Sequence, residues 1–288
     1  MINVLVTGCN GQLGSEIREL HRRYNSYKFL FTDFHDLNIT NHESVNDFIK
    51  KNKIKIIINC AAYTAVDKAE REQESADRVN HLAVANFAKI SKKNKIKLIH
   101  ISTDYVFDGN SSKEYTETCD TNPISVYGKT KLAGEKAVMK VNPANSIIIR
   151  TSWLYSRFCK NFVKTILKNS KNNNVIKVVS DQFGSPTNAS DLAKSILNII
   201  PKINNSQVEI FHFSNDLFCS WFEFAQYICQ SVKSNCIVES IESREIRQIA
   251  KRPIFSVMSC EKIKNTYKIS IPTWQDSLKK FLNVKENL

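Results

Sequence analysis

The segment Gly8-Cys9-Asn10-Gly11-Gln12-Leu13-Gly14 constrains this chain more than any other stretch. It follows an apolar run from Val4 to Thr7 and leads into Leu13, Ile17 and Leu20, which recur at helical spacing. A glycine loop between a strand and a helix has a physical purpose. Gly8 permits the tight turn, Gly11 lets backbone approach a pyrophosphate, and Gly14 lets the helix lie close to the sheet. Free N–H groups at the start of the helix favour the anion.

Phe29 to Thr32 completes a βαβ unit, and further buried-strand runs stand at Ile56-Ile57-Ile58, Leu98-Ile99-His100-Ile101 and Ile147-Ile148-Ile149. Each follows a stretch that can form a helix. The alternation predicts an α/β protein, a Rossmann-type doubly wound parallel sheet with helices on both faces. Asp33 ends the second strand about 20 residues beyond the glycines, where an acid accepts hydrogen bonds from the adenosine ribose. By itself it favours NADH over NADPH; the plainer reading is a strand-end turn residue.

Regularity weakens after Arg150, with polar residues from Asn169 to Asn174 and turn formers in Asp181-Gln182-Phe183-Gly184-Ser185-Pro186-Thr187. We place a boundary there: residues 1–150 form the NAD(P)-binding domain and residues 151–288 a smaller, mainly substrate-binding α/β domain. Within the latter, Ser220-Trp221-Phe222-Glu223 reads as a capping box opening a helix through Phe224, Tyr227 and Ile228. The segment around Trp274 forms one more helix.

Composition excludes several classes. Hydrophobic residues make up 42% and charged residues 24% of the 288, and no apolar run approaches the roughly 20 residues that span a bilayer. The start has no basic segment of the secretory kind, so the expectation is a cytoplasmic protein without a membrane partner. Eight cysteines stand without a C-x-x-C pair, which argues for reduced thiols and no metal site. The net charge of +13 is spread over the whole chain, as in Lys50-Lys51-Asn52-Lys53-Ile54-Lys55, and does not form a nucleic-acid patch. Its functional reading is a field that steers a diphosphate-bearing substrate.

Tyr127-Gly128-Lys129-Thr130-Lys131 sets Tyr127 and Lys131 on one face of a helix, placed after the fifth strand. A tyrosine with a pKa near 10 is a poor proton donor–acceptor at neutral pH, and an adjacent ammonium is expected to lower it. Carbonyl reduction needs such an acid. Ser102-Thr103-Asp104-Tyr105-Val106-Phe107-Asp108-Gly109 closes a strand at the carboxyl edge of the sheet, which places Thr103 to hydrogen-bond a substrate carbonyl. Ser102 and Thr103 also suit capping of the following turn, and Tyr105 and Phe107 suit packing.

The Gly-x-x-Gly-x-x-Gly form is that of short-chain dehydrogenases and nucleotide-sugar epimerases. Ser102 to Gly109, Tyr127 to Lys136 and Ala61-Ala62-Tyr63-Thr64-Ala65-Val66-Asp67-Lys68-Ala69-Glu70 together resemble the dTDP-4-dehydrorhamnose reductase family. The likeness continues in Arg150-Thr151-Ser152-Trp153-Leu154-Tyr155, in Asp181 to Thr187 and in Arg252-Pro253. The resemblance implies NADPH- or NADH-dependent reduction of the C4 keto group of dTDP-4-dehydro-L-rhamnose, a step toward cell-surface polysaccharide. It implies a catalytic trio of Thr103, Tyr127 and Lys131. Cofactor contacts would come from Gly8, Asn10, Gly11, Gln12, Leu13 and Gly14, from Asp33, Asn38 and Ile39, from Ala61, Ala62 and Tyr63, and from Tyr127 and Lys131. The dTDP-deoxysugar would meet Thr103, Asp104 and Trp153, with Thr64, Val66 and Asp67 nearby. A homodimer is the expected assembly.

Two positions depart from the family pattern: Asn38, where an acid is frequent, and Phe255, where Asn is usual. Two other functions share much of the motif set. The regulatory subunit of methionine adenosyltransferase has a similar Tyr-Gly-Lys-Thr-Lys string, but Ala61 to Glu70 and Ser152-Trp153 resemble the reductases where that subunit differs. A reductase or epimerase for another nucleotide sugar is the second alternative.

Overall fold

The structure, a computed structural model, describes residues 1–283; residues 284–288, the end of the expected substrate-binding segment, lie outside the described residues. The first half runs β1 (Ile2–Thr7), α1 (Gln12–Leu20), β2 (Tyr27–Thr32), α2 (His42–Lys51) and β3 (Ile54–Asn59). It continues through α3 (Val66–Ala69), α4 (Gln73–Asp77), a π-helical turn at Arg78–Leu82, α5 (Ala83–Asn94), β4 (Lys97–Thr103), α6 (Val126–Val141) and β5 (Ile147–Thr151). The Tyr127 helix, α6, thus follows the fourth strand, not the fifth.

After β5 come β6 (Leu154–Tyr155), α7 (Phe162–Asn172), β7 (Val175–Val179), β8 (Phe183–Gly184), β9 (Thr187–Asn188), α8 (Ala189–Ile199) and β10 (Glu209–His212). The rest is β11 (Cys219–Ser220), α9 (Trp221–Ser231), β12 (Ile237–Ile241), α10 (Glu261–Tyr267) and α11 (Trp274–Leu282).

Six parallel strands form the main sheet in the order β10-β5-β4-β3-β1-β2. Its strands are apolar on both faces because both faces are covered. Val4, Val6, Ile58 and Ile149 pack against α1, α8 and α10 through Ile17, Ile196 and Ile263. Leu5, Ile57, Leu98 and Ile148 pack the other way, against Val45, Phe87 and Val138 of α2, α5 and α6. Burial of each such side chain stabilises the fold by about 1.5–3 kcal/mol. Strand order reverses between β1 and β3, and in an open α/β sheet that switch point opens a crevice at the carboxyl ends of the strands.

The other core is built by α7, α9 and α11 around Val163, Phe224, Ile228, Trp274 and Leu278. Short ladders brace it: β7 with β12, β6 with β9, and β8 with β11. The turn formers of Asp181 to Thr187 carry two of these short strands, and the Ser220–Glu223 capping box is present, with both reciprocal bonds made. The Trp274 helix is present as well. All eight cysteines are unpaired thiols.

Candidate active site

The loop after β1 turns at Gly8, whose φ of +64° is a conformation that L side chains rarely adopt. A Cβ there would also stand 2.7 Å from the backbone N and Cα of Ala61, so the ends of β1 and β3 meet because Gly8 has none. A Cβ on Gly14 would collide with the Gly8 carbonyl oxygen, which is how α1 starts so near the sheet. Gly11 occupies the N-cap of α1, and no side chain among the described residues caps that end. The amide donors and the dipole of α1 are thereby left to an anion. These features fit a dinucleotide pyrophosphate.

Asp33, at the end of β2, accepts hydrogen bonds from the Asn10 amide at 2.9 Å and from its neighbour Phe34 at 2.7 Å. Its carboxylate therefore faces the glycine loop, where a ribose would lie. Asn38 folds its side chain inward, accepting from the amide and hydroxyl of Thr40 at 3.0 Å and 2.8 Å. Asn80, in the π-helical turn, bridges two segments. It accepts from the Tyr63 amide and donates to the Tyr63 carbonyl and the Thr130 hydroxyl, tying the Ala61–Tyr63 segment to α6.

Ser125 caps α6 by accepting from the Gly128 amide, and Glu70 accepts from the Val126 amide. The helix so fixed carries Tyr127 and Lys131 into the crevice. Lys131 is almost fully buried and donates to the Ile101 carbonyl at 2.6 Å. Burial lowers its pKa to about 8, with Glu135 one turn along opposing the drop. Behind it, Glu135 and Arg150 form a buried pair with the Arg150 Nε donating at 3.0 Å and Nη2 at 2.7 Å, and the guanidinium lies over the Phe107 ring.

The expected lowering of the Tyr127 pKa by Lys131 is corrected by the structure. Burial pushes Tyr127 up to about 12; Thr103, through a side-chain hydrogen bond, opposes this, and the Asp104 charge adds to it. The reason is geometric: the Lys131 ammonium is turned to Ile101, and the phenol sits where a phenolate would be desolvated. Tyr127 thus remains a protonated donor at neutral pH. Thr103 accepts from the Tyr105 amide at 3.2 Å and donates to Asp104 at 3.0 Å, so it both caps the turn after β4 and faces the crevice. Asp104 is buried, which raises its carboxyl to about 6 against the hydrogen bonds of Ser256 and Thr103.

A cavity of about 780 Å³ runs along these strand ends. Every residue expected to serve catalysis, cofactor or substrate lines it except Asn10 and Asp67. The Asn10 side chain is exposed beside Arg18, 3.3 Å from its guanidinium. Asp67 is turned to Arg252 at 2.8 Å and to the amides of Ile249 and Ala250, which keeps its pKa low. Phe255 lies outside the cavity wall, against Phe218, with its amide donating to the Gly109 carbonyl. Sequence reasoning missed Cys159, Lys160 and Trp221, which line the cavity from the second half of the chain. The capping box before Trp221 was legible; that its indole would face the crevice depends on how α9 docks. Among the described residues no cluster of three His, Cys, Asp or Glu could hold a metal, and no helix is long and apolar enough to cross a membrane.

Residues 2–287 match the family model described as the RmlD substrate binding domain. A dTDP-4-dehydrorhamnose reductase of Aggregatibacter actinomycetemcomitans is 38% identical, over 97% of this chain and 98% of that protein. The enzyme of that name from Escherichia coli is 35% identical over 98% and 97%. A solved dTDP-4-dehydrorhamnose reductase from Bacillus anthracis, in complex with NADP, superposes with a TM-score of 0.93 at 37% identity, covering 98% of this chain and 99% of that one.

Proposed function

This chain belongs to the RmlD substrate binding domain family, and on that premise we propose that it reduces the C4 keto group of dTDP-4-dehydro-L-rhamnose to give dTDP-L-rhamnose, using NADPH or NADH. The observation that carries this reading is a single cavity lined at one end by the glycine loop and Asp33 and at the other by Thr103, Tyr127, Lys131 and Trp153. The product is a precursor of cell-surface polysaccharide, made in the cytoplasm, and the enzyme acts as a homodimer.

Gly11 to Gly14 would hold the pyrophosphate on the α1 amides, Asp33 the adenosine ribose, and Lys131 the nicotinamide ribose. When bound, the reduced nicotinamide supplies the hydride. Thr103 holds the sugar's C4 oxygen, and Tyr127 gives its phenolic proton to that oxygen as negative charge develops there. A phenol kept protonated by burial suits this direction of reaction. Asp104 and Trp153 orient the sugar, and residues from 151 onward mainly serve the substrate while 1–150 mainly serve the cofactor.

The test is direct. The protein is given dTDP-4-dehydro-L-rhamnose with NADPH or NADH, cofactor absorbance is followed, and the sugar product is identified. Stoichiometric cofactor oxidation with dTDP-L-rhamnose as product supports the reading. No oxidation with either cofactor overturns it.

A further inference from the structure

Trp153 is held in a strained and specific pose. Its φ of +46° is a left-handed conformation that bulky side chains rarely adopt. The segment is strapped down on both sides: Ser152 donates to the Ser185 carbonyl at 2.7 Å, and the Thr187 amide donates to the Trp153 carbonyl at 3.1 Å. The indole lies directly on Gly184, where a Cβ would come within 2.5 Å of Cε2 and 2.7 Å of Nε1. It also stacks on Trp221, with ring centroids 3.4 Å apart and planes 6° from parallel.

Trp221 is itself fixed. It is the first residue of α9, behind the Ser220–Glu223 capping box, and Phe162 backs it at 4.4 Å. The third tryptophan, Trp274, is a buried core residue, whereas both stacked indoles stay partly exposed and line the cavity that contains Thr103 and Tyr127. Two indoles placed only for packing would be expected deeper in the core. Observed backbone strain at a cavity wall points instead to a site whose shape matters.

We propose that Trp221 is a positioning residue for the sugar end of the substrate: by stacking on Trp153 it fixes that indole, and the part of the pair left exposed forms an apolar wall for a 6-deoxy sugar. Such a sugar presents a methyl group and C–H bonds that an indole can cover, whereas a C6 hydroxyl against the same wall would be left without a hydrogen-bond partner. The inference rests on the function proposed above and names the part of the chain that reads the deoxy position.

Two measurements test it. Circular dichroism of the free wild-type protein should show the exciton couplet of stacked indoles, lost in Trp221→Phe; a wild type without the couplet overturns the stack. In steady-state kinetics with dTDP-4-dehydro-L-rhamnose and NADPH, Trp221→Ala should raise the sugar KM about tenfold or more, with kcat changed less than about threefold and the NADPH KM unchanged. Trp221→Phe, which keeps a flat ring, should recover most of that loss. Should Trp221→Ala not fold, Gly184→Ala presses on the indole from the other contact and should raise the same KM. An active wild type whose sugar KM survives these changes overturns the positioning role alone. A wild type that shows the couplet but does not turn over this sugar overturns the proposed function, and the sugar wall with it.

Discussion

Glu70 accepts a hydrogen bond from the Val126 amide at 2.8 Å, so a carboxylate from outside α6 closes the first turn of the helix that carries Tyr127 and Lys131. An acid at a helix N-terminus is worth about 1 kcal/mol. Here it also sets where Tyr127 begins. Glu70→Ala should lower kcat/KM about tenfold and reduce thermal stability modestly, while Glu70→Gln keeps an acceptor and most of the activity. Kinetics and melting curves of the two variants decide it; an unchanged kcat/KM in Glu70→Ala would mean that Ser125 alone fixes the helix.

Tyr127→Phe removes only the phenolic oxygen. Turnover should fall by about a thousandfold, within the range that a positioned general acid contributes. Cofactor binding, followed by fluorescence titration, should stay within about threefold of wild type because the pyrophosphate and Lys131 contacts are untouched. Near-normal turnover in this variant would remove Tyr127 from the mechanism.

The pH profile follows from two buried groups. Lys131, lowered to about 8, loses its charge as pH rises through that value, and with it the ammonium proposed to hold the ribose. Asp104, raised to about 6, gains a proton as pH falls through that value. The kcat/KM of the free enzyme should therefore be bell-shaped, with limbs near 6 and 8. Asp104→Asn should flatten the acid limb and leave the alkaline one. A profile level across both regions contradicts the assignment.

The proposed role of Asp33 at the adenosine ribose bears on cofactor choice. Its carboxylate is fixed toward the glycine loop by two amides, and each unit of negative charge on a 2′-phosphate brought about 5 Å from it would be opposed by roughly 3 kcal/mol at an effective dielectric of 20. Asp33→Ser should shift the kcat/KM ratio toward NADPH by about tenfold or more. Competition between the two cofactors measures it, and an unmoved ratio places the discrimination elsewhere.

The Glu135–Arg150 pair is nearly sealed from water. Removing one partner strands a buried charge, so Glu135→Ala should cost about 3–5 kcal/mol in denaturant unfolding. Replacing both, as Glu135→Leu with Arg150→Met, should cost much less than that single change. If the double variant is the less stable of the two, the pair contributes through attraction and not merely by compensating its own burial.

The features legible in sequence were those with short-range causes. The glycine loop, the alternating strands and helices, the Tyr127–Lys131 spacing and the Ser220 cap each depend on residues within a turn or two of one another. Lys131 illustrates the limit. Its spacing from Tyr127 was readable, but its partner is the Ile101 carbonyl, thirty positions away on β4, and the tyrosine's pKa is raised by burial among residues that the local spacing does not show. Trp221 reached the cavity by the docking of α9 on the second core, and Asp67 was drawn to Arg252 from the far end of the chain. Neither follows from local pattern.

Burial of Lys131 also decides how this protein would meet electrophiles. With a pKa of about 8, about one amine in ten is neutral and nucleophilic at pH 7, far more than for an ordinary surface lysine. Lys131 is 2% exposed and lines the cavity. Bulk acylating reagents will therefore spend themselves mainly on the many surface lysines, while a small activated ester shaped like the cofactor's nicotinamide end would reach this amine through the cavity. The same burial that makes the residue chemically soft makes it selectively targetable.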